Sequence, residues 1–240
     1  MYYKDDPSTI QDLFTSIAEP YDRTNAVMSM GLHKYWNWQL VKSTFVPAQE
    51  GPLLDLCCGT GEIAYTYLKN KPNHRELYLI DFCEAMLLQA KKRAEKGGFQ
   101  QHNTLNFIQA DAQKLPLENS SVSAVSIAYG IRNIREPLVC LKEVYRVLKK
   151  DAICGILELT RPPQKVLRKL HQIYLKMMIP VLGRLCTSNK EAYAYLRDSV
   201  GYFMEPLELA SLMAQVGFKE IKVQPLTWGA AHLLVGKKGA

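Results

Sequence analysis

Buried, strand-like runs alternate with helical stretches along most of this sequence, and that alternation restricts the fold more than any other feature. Seven runs predict strands: GPLLDLCC, RELYLID, NTLNFIQAD, SVSAVSIAYG, AICGILELT, FKEIKVQPL and AAHLLVGKK. Helical stretches lie between them, such as CEAMLLQAKKRAEKGG, which stops at a glycine pair, and EPLVCLKEVYRVLKK, which has Pro137 at its start. The order predicts an α/β, doubly wound, Rossmann-like sheet of seven mostly parallel strands with helices on both faces.

The 240 residues suffice for one large α/β domain and are too few for two comfortable ones, so we predict a single domain over 1–240. Within it we expect an N-terminal helical cap at 8–46, a ligand-binding core at 51–160 and closing strands at 218–236. Residues 163–216 carry further helices. Extra helices at the carboxyl edge of such a sheet often cover the ligand crevice, so we expect a lid.

The net charge of +7 and the pI of about 9.0 permit nucleic acid, anionic lipid or an acidic cofactor as a partner. The chain lacks basic, aromatic-rich repeats and a recognisable RNA module, so we expect no nucleic-acid partner. Its first residues are polar and acidic, and no run of about 18 apolar residues occurs, which favours a cytoplasmic protein without a membrane span. The six cysteines show no C-x-x-C spacing, so we expect no metal site.

A glycine turn follows the first predicted strand in LLDLCCGTGEIA, where Asp55 ends the strand and Gly59, Thr60 and Gly61 lead into a helix. One interpretation is a dinucleotide fingerprint, because Asp81 lies 20 residues after Gly61. The other is the D-x-x-x-G-x-G loop of a class I S-adenosylmethionine-dependent methyltransferase. In that loop the acid addresses the methionine amino group, and the glycines let the backbone approach the ligand.

A second acidic turn, QADAQKLPLENSSVSAV, separates the two interpretations. It resembles the methyltransferase arrangement in which Asp111, followed by Ala112, faces the adenine amino group. Asp55, Asp81 and Asp111 then stand at three successive strand ends, which suits a cationic sulfonium nucleoside better than an anionic pyrophosphate. Any one of the three could instead cap a helix, but the set favours S-adenosyl-L-methionine as the cofactor.

The chain resembles the C-methyltransferases of menaquinone and ubiquinone biosynthesis from about residue 14 to 236. Five segments carry the resemblance: FTSIAEPYDRTNAVMSMGLHKYW, LDLCCGTGEIA, YGIRNIREP, LELTRP and AYAYLRDSVGYF. The resemblance implies S-adenosylmethionine-dependent C-methylation of a polyprenylated quinol ring, most simply demethylmenaquinol to menaquinol. A 2-methoxy-6-polyprenyl-1,4-benzoquinol is a second acceptor that it implies. The alternatives are methylation of another small molecule or of RNA, and a non-catalytic protein that binds the cofactor.

The sequence departs from this family at two positions near the expected site. Cys58 stands where the family usually has a glycine, which keeps the non-catalytic alternative open. His232 is displaced by two positions from the family's histidine, so we leave it out of the catalytic set.

Arg132 and Asn133 follow the fourth predicted strand, where an acceptor ring would meet the methyl group. We expect Arg132 to stabilise a phenolate and Asn133 to orient the ring, although a loop arginine is commonly a solvated charge. The resemblance implies that Tyr21 is a lid residue of the active site. Tyr129 could face the sulfonium or simply be buried, and Glu158 could face the ligand or pair with a neighbour. The general base is unassigned.

The stretch QKVLRKLHQIYLKMMIPVLGRL combines an apolar stripe with a basic face. Its apolar residues recur at helical spacing: Val166, Leu167, Leu170, Ile173, Tyr174, Met177, Met178 and Val181. Its basic residues are Lys165, Arg168, Lys169 and Lys176. Such a helix can lie on an anionic membrane surface and give transient peripheral contact, although packing on the core is the commoner use of an apolar stripe. A homodimer through the N-terminal and lid helices is a further option.

Overall fold

The computed structural model describes residues 6–46, 50–70, 75–178, 195 and 198–239. Its sheet contains seven strands: β1 Leu53–Leu56, β2 Glu76–Asp81, β3 Thr104–Gln109, β4 Val122–Ala128, β5 Leu148–Leu159, β6 Phe218–Leu226 and β7 Ala231–Lys238. Their order is β3-β2-β1-β4-β5-β7-β6. β7 runs antiparallel to β5 and β6, and the other neighbouring strands are parallel. The predicted fold class is confirmed.

Helices cover both faces and the carboxyl edge of this sheet. The described helices are α1 Pro7–Ile17, α2 Tyr21–Met28, α3 Leu32–Thr44, α4 Glu62–Asn70, α5 Glu84–Lys96, α6 Pro137–Val147, α7 Lys165–Ile173 and α8 Pro206–Val216. A π-helical turn, Tyr174–Met178, continues α7. As predicted, α5 stops before the pair Gly97-Gly98 and α6 begins at Pro137. Across the described ranges, no helix combines the length and hydropathy needed to cross a membrane.

One strand begins earlier than the sequence indicates. The apolar run predicts that β5 starts near Ala152, but the strand starts at Leu148, which pairs with Val122 of β4. The pairing then shifts in register, and Ile153 lies opposite Ala124. Such an irregularity depends on the neighbouring strand, so the apolar pattern of β5 alone does not predict it.

The switch in strand order lies between β1 and β4, which are buried along nearly their whole length. Their loops leave the same edge side by side and approach closely. A Cβ atom added to Gly130 would lie 2.4 Å from the Cβ of Cys57, so only glycine fits there. Cys57 and Tyr129 both have positive φ, 55° and 58°. Non-glycine residues seldom adopt this conformation, and it concentrates at ligand-binding loops.

The N-terminal helices form a cap that is fixed to this edge by polar contacts. Asp22 of α2 accepts a hydrogen bond from Thr60 Oγ1 (2.6 Å) and pairs with Arg93 Nη1 of α5 (2.5 Å). On the other side of the cap, Trp36 Nε1 of α3 donates to Thr227 Oγ1 (2.8 Å) in the turn before β7. The cap is therefore attached to both halves of the sheet.

Candidate active site

A cavity of about 470 Å³, which we name the glycine-loop cavity, lies at the carboxyl ends of β1, β2 and β4. Seven of the predicted site residues are among those that line it: Tyr21, Gly59, Asp81, Asp111, Ala112, Tyr129 and Asn133. This is the crevice at the topological switch point, where open α/β sheets bind their ligands.

Gly59 and Asp81 shape the floor of the glycine-loop cavity. The Gly59 N–H donates to Asp81 Oδ2 (2.8 Å), and the Cys83 N–H donates to Oδ1 (2.9 Å). Burial raises the pKa of Asp81, while these backbone donors act to lower it. A Cβ atom added to Gly59, whose φ is 54°, would meet no atom within 4 Å in the part of the chain that the structure describes. The open space above this glycine, beside a carboxylate, fits the close approach of a nucleoside cofactor.

Asp111 and Ala112, which follow β3 next to β2, line the same cavity. The Asp111 carboxylate is exposed, and its Oδ1 accepts from the Gln113 backbone N–H (2.8 Å), so it closes its own turn. The carboxylate retains further acceptor capacity for a donor such as an adenine amino group. Ala112 is buried beneath it.

Asp55, Thr60 and Gly61 do not line the cavity wall. Asp55 is buried, and its carboxylate accepts from the Ala64 N–H (3.2 Å) and from Ser126 Oγ (2.8 Å). It therefore caps α4, because a side chain at the end of a fully buried strand meets the free N–H groups of the next helix. Burial raises the pKa of Asp55 to about 7, although Ser126 and the Ala64 N–H act to lower it. Thr60 is engaged by Asp22 instead.

A second cavity of about 450 Å³, which we name the cap cavity, lies between the N-terminal helices, α7 and the turn at 227–230. Much of its wall is apolar, including Leu13, Ile17, Met28, Leu167 and Trp228. Its polar residues include Asn25, Ser29, His33, Glu62 and Arg132. An apolar cavity with a few polar groups is typical of a site for an organic ligand.

The two cavities share a wall made of Phe14, Tyr21 and Tyr129. Burial raises the pKa of Tyr21, although Asn25 and Arg132 act to lower it. Burial likewise raises the pKa of Tyr129, whose hydroxyl donates to Asn37 Oδ1 (3.0 Å). Both phenols therefore remain protonated near neutral pH. The shared wall is where two ligands, one in each cavity, would approach each other.

Arg132 and Asn133 both reach this region, in different ways. Arg132 is buried, and its Nη1 donates to Glu158 Oε1 and to the Tyr129 carbonyl, each at 2.5 Å. Burial acts to lower the pKa of Arg132, but the charge of Glu158 outweighs it and holds that pKa above its usual value. Asn133 Oδ1 accepts from the Tyr195 hydroxyl (2.8 Å). Glu158 thus forms an ion pair with Arg132. Pairing with a neighbour was one of the two alternatives predicted for Glu158, and facing the ligand was the other.

Three polar residues of the cap cavity were given no role in the site from the sequence. His33 Nδ1 lies 2.7 Å from Ser29 Oγ, and His33 Nε2 lies 3.3 Å from Glu62 Oε1. Glu62 follows Gly61 directly, so the sequence already indicated that Glu62 lies at the carboxyl edge of β1, close to the expected site. Ser29 and His33 lie within the N-terminal segment that resembles the family.

Neither of these two departures from the family pattern, Cys58 and His232, lines a cavity. Cys58 is buried in the apolar cluster between α3 and α4, and its side chain lines neither cavity. His232 Nδ1 lies 2.7 Å from Thr160 Oγ1, beneath the turn at Gly229. In the part of the chain that the structure describes, no three His, Cys, Asp or Glu side chains are grouped so that they could hold a metal ion.

The apolar stripe of α7 does not pack on the core, because no residue of α7 is buried. Val166, Leu170, Ile173 and Met177 are exposed, and Leu167, Leu170, His171 and Tyr174 line the cap cavity. The side chain of Met178, and Val181 and Cys186 entirely, lie outside the described residues.

The strand order, with the crevice at the carboxyl ends of the strands, is the fold of class I S-adenosylmethionine-dependent methyltransferases, and solved structures share it. A methyltransferase from Thermotoga maritima, described as a possible histamine N-methyltransferase, has a TM-score of 0.65 and 20% identity. The match covers 95% of this chain and 98% of that one. A methyltransferase from Aquifex aeolicus has a TM-score of 0.63 and 16% identity, with 92% and 98% covered. At these identities the likeness shows the fold.

The chain belongs to the ubiE/COQ5 methyltransferase family, which its sequence matches over residues 2–238. A demethylmenaquinone methyltransferase of Protochlamydia amoebophila is 45% identical over 237 residues, covering 99% of this chain and 98% of that protein. An enzyme of the same name from Chlamydia felis is 37% identical, with 95% and 96% covered. The resemblance read from the sequence is confirmed.

Proposed function

We propose that this protein transfers a methyl group from S-adenosylmethionine to a ring carbon of a polyprenylated quinol, with demethylmenaquinol as the first acceptor. The observation that carries the proposal is the shared wall of Phe14, Tyr21 and Tyr129 between the glycine-loop cavity and the cap cavity. A cofactor over Gly59 and an apolar acceptor in the cap cavity would meet at that wall. The names of the relatives favour the naphthoquinol.

The residues present supply what such a transfer needs. The cofactor provides an electrophilic methyl group. Asp81 and Asp111 offer carboxylates to the hydroxyl and amino groups of a nucleoside. Phe14 and Tyr21 would hold the two partners in line, and orientation of this kind lowers barriers by roughly 7–11 kcal/mol. Arg132 adds positive charge on the acceptor side, where a phenolate would develop.

The position of Cys58 weakens the non-catalytic alternative. That alternative rested on an extra side chain beside the cofactor, and the Cys58 thiol is instead buried on the far side of the loop. The methoxy-benzoquinol remains a second acceptor under this proposal, since the cap cavity is apolar enough for either ring. The homodimer stays a prediction.

The acceptor is tested by methyl transfer from labelled S-adenosylmethionine to three reduced acceptors: a demethylmenaquinol, a methoxy-polyprenyl-benzoquinol and a water-soluble catechol. We expect label on a prenylated quinol and none above background on the catechol. Efficient transfer to the catechol alone would overturn the proposal.

We also propose that the mouth of the cap cavity rests on an anionic bilayer while the prenyl tail enters. Three residues both line the cavity and are exposed, and we name them the rim: Met30 (73% exposed), Leu170 (59%) and Trp228 (77%). Thr227 and Trp228 have φ values of 46° and 55°, so a strained turn holds the indole outward. Lys165, Lys169 and Lys176 are exposed on the same helical segment as Leu170. Their positive charges suit a layer of anionic lipid headgroups.

Flotation with vesicles of phosphatidylglycerol and phosphatidylcholine tests this contact. The wild type is expected to float with the anionic vesicles, and the double variant Met30→Ser/Trp228→Ser to float several-fold less. Leu207→Ser is the matched control, since Leu207 is 72% exposed and lines neither cavity. Equal flotation of all three proteins would contradict the role of the rim.

A further inference from the structure

Ser29, His33 and Glu62 form a chain of polar contacts along one side of the cap cavity. The chain runs from Ser29 Oγ to His33 Nδ1 (2.7 Å) and from His33 Nε2 to Glu62 Oε1 (3.3 Å). All three residues line the cavity, yet His33 is only 5% exposed. An imidazole held between a carboxylate and a hydroxyl is the arrangement that moves a proton away from that hydroxyl.

The charge of Glu62 sets the direction of this chain. Burial acts to raise the pKa of Glu62, but the hydrogen bond and charge of His33, with Arg93 and Lys34, outweigh it and hold that pKa below its usual value. An ionised carboxylate accepts from the Nε2–H of His33. The Nδ1 atom of a neutral imidazole is then an acceptor for the Ser29 hydroxyl.

The Ser29 hydroxyl hydrogen has two acceptors within reach. The hydroxyl donates to the Asn25 carbonyl oxygen (2.7 Å), which also accepts from the Ser29 backbone N–H (2.9 Å), and His33 Nδ1 lies at the same distance of 2.7 Å. Rotation about the Cβ–Oγ bond turns the hydrogen from the carbonyl to Nδ1, and the backbone N–H still satisfies the carbonyl. When the hydroxyl donates to His33, a lone pair of Ser29 Oγ is left for a donor in the cavity. Ser29 is half-buried, so a ligand can reach it.

We propose that His33, acting through Ser29 and held by Glu62, accepts the proton of the acceptor's ring hydroxyl. This inference rests on the proposed function and assigns its missing base. The hydroxyl of the acceptor would donate to Ser29 Oγ, which makes Ser29 the contacting group. His33 receives the proton, and Glu62 is a positioning residue that stabilises the imidazolium.

The step balances as follows. The quinol O–H bond breaks, its proton passes to Ser29 Oγ, and the Ser29 proton passes to His33 Nδ1. The electron pair left on oxygen delocalises to the neighbouring ring carbon, which forms a bond to the methyl carbon as the methyl–sulfur bond breaks and its pair remains on sulfur. The ring carbon then loses its own proton to water, the ring becomes aromatic again, and His33 returns the first proton to the oxygen.

Other titratable groups on this cavity suit the role less well. Burial raises the pKa values of Tyr21, Tyr129 and Tyr174, so these phenols stay protonated. Arg132 is a permanent cation that is paired with Glu158. His171 on α7 is the remaining competitor, and burial lowers its pKa. No carboxylate contact fixes its ring among the described contacts, in contrast to His33.

The pH dependence of the step involves the charged groups that act on His33 and on Glu62. Glu62 on α4 contacts the His33 ring, and Asp22 on α2 acts on it at longer range. Arg93 on α5, Lys34 on α3 and Tyr129 in the loop after β4 act on Glu62.

Three variants test the proposal by single-turnover methyl transfer to demethylmenaquinol under anaerobic conditions. His33→Asn and Ser29→Ala are each expected to lower the transfer rate about 100-fold, and Glu62→Gln about 10-fold or more, with cofactor affinity changed less than about 3-fold. In His33→Asn the rate should recover as pH rises, because hydroxide then ionises the acceptor, while the wild-type rate levels off. His102→Asn, outside both cavities, is the matched control.

A spectroscopic measurement on the protein without acceptor gives an independent readout. Nitrogen NMR of the five histidines, with His33 assigned by its loss in His33→Asn, is expected to show a proton on Nε2 and a hydrogen-bonded Nδ1. Glu62→Gln should shift this population toward the other tautomer. If His33 had only a structural role, the transfer rate of His33→Asn would not recover at high pH.

The outcomes separate the two proposals. If the wild type methylates no prenylated quinol, the proposed function fails. If the wild type is active but His33→Asn retains at least about one third of its rate, or shows no recovery at high pH, the inference fails alone. The inference would also be overturned if His171→Asn, and not His33→Asn, lowered the transfer rate and regained it at high pH.

Discussion

Arg132 and Glu158 form an ion pair at the carboxyl ends of β4 and β5, with Nη1 2.5 Å from Oε1 and side chains only 5% and 0% exposed. The pair joins the loop that carries Asn133 to the neighbouring strand, and Glu158 Oε2 also accepts from the Arg132 backbone N–H (3.3 Å). The arginine that the sequence singles out for chemistry is therefore also a structural element of the site.

Arg132→Ala should lower the free energy of unfolding by about 3–5 kcal/mol, because removing one partner leaves the Glu158 charge buried and unpaired. Urea unfolding measures this loss. Lys237→Ala is the control, since its pair with Asp151 (3.2 Å) is largely exposed and contributes at most about 1 kcal/mol. Equal losses in the free energy of unfolding for the two substitutions would contradict a larger contribution from the buried pair.

Gly130→Ala should destabilise the protein by about 1–3 kcal/mol through overpacking against Cys57. The double variant Cys57→Gly/Gly130→Ala should regain part of this loss, because it removes the opposing Cβ atom. By contrast, Gly201→Ala should be neutral or stabilising by up to about 1 kcal/mol, since a Cβ atom there meets none of the described residues within 4 Å. Thermal unfolding of the wild type and the three variants measures these differences. If Gly130→Ala unfolded at the same temperature as Gly201→Ala, the close approach of Gly130 to Cys57 would be contradicted.

Asp55 should make the protein less stable as pH rises. Its pKa is about 7 in the folded chain against an ordinary value of 3.8, so the folded state binds the proton more tightly than the unfolded state. The stabilisation is complete below pH 3.8 and is lost as pH rises to about 7. We expect the free energy of unfolding of the wild type, relative to Asp55→Asn, to fall between about pH 4 and about pH 7. A flat difference between the two proteins would contradict the buried carboxyl.

Asp22→Asn should loosen the cap without unfolding the sheet. The substitution removes a charge that pairs with Arg93 and accepts from Thr60, and this half-exposed pair contributes about 1 kcal/mol or less. Amide hydrogen exchange in α2 should therefore accelerate up to about 5-fold while exchange in β4 stays constant. Uniform acceleration in both elements would mean that the cap does not open separately.

The sequence predicted the fold well because its signals are local. Alternating runs, the glycine pair after Lys96 and Pro137 at the start of α6 each depend on a few neighbouring residues, and all are found in the structure. The early start of β5 at Leu148 depends on pairing with β4 and was missed.

The site was predicted less completely because side-chain partners come from distant segments. Asp81 and Asp111 line the glycine-loop cavity, whereas Asp55 turns toward α4, and nothing in the three similar strand ends distinguishes them. Likewise, the contact of His33 with Glu62 joins the cap to the glycine loop across 29 residues of sequence.

The most direct test of the account is the position of a quinone ring in a crystal structure with S-adenosylhomocysteine and menaquinone bound. We expect the nucleoside over Gly59 beside Asp81, the quinone in the cap cavity, and the methylated ring carbon facing the sulfur across the wall of Phe14, Tyr21 and Tyr129. A quinone ring bound outside the cap cavity, or turned so that its methyl group points away from the sulfur, would contradict the account.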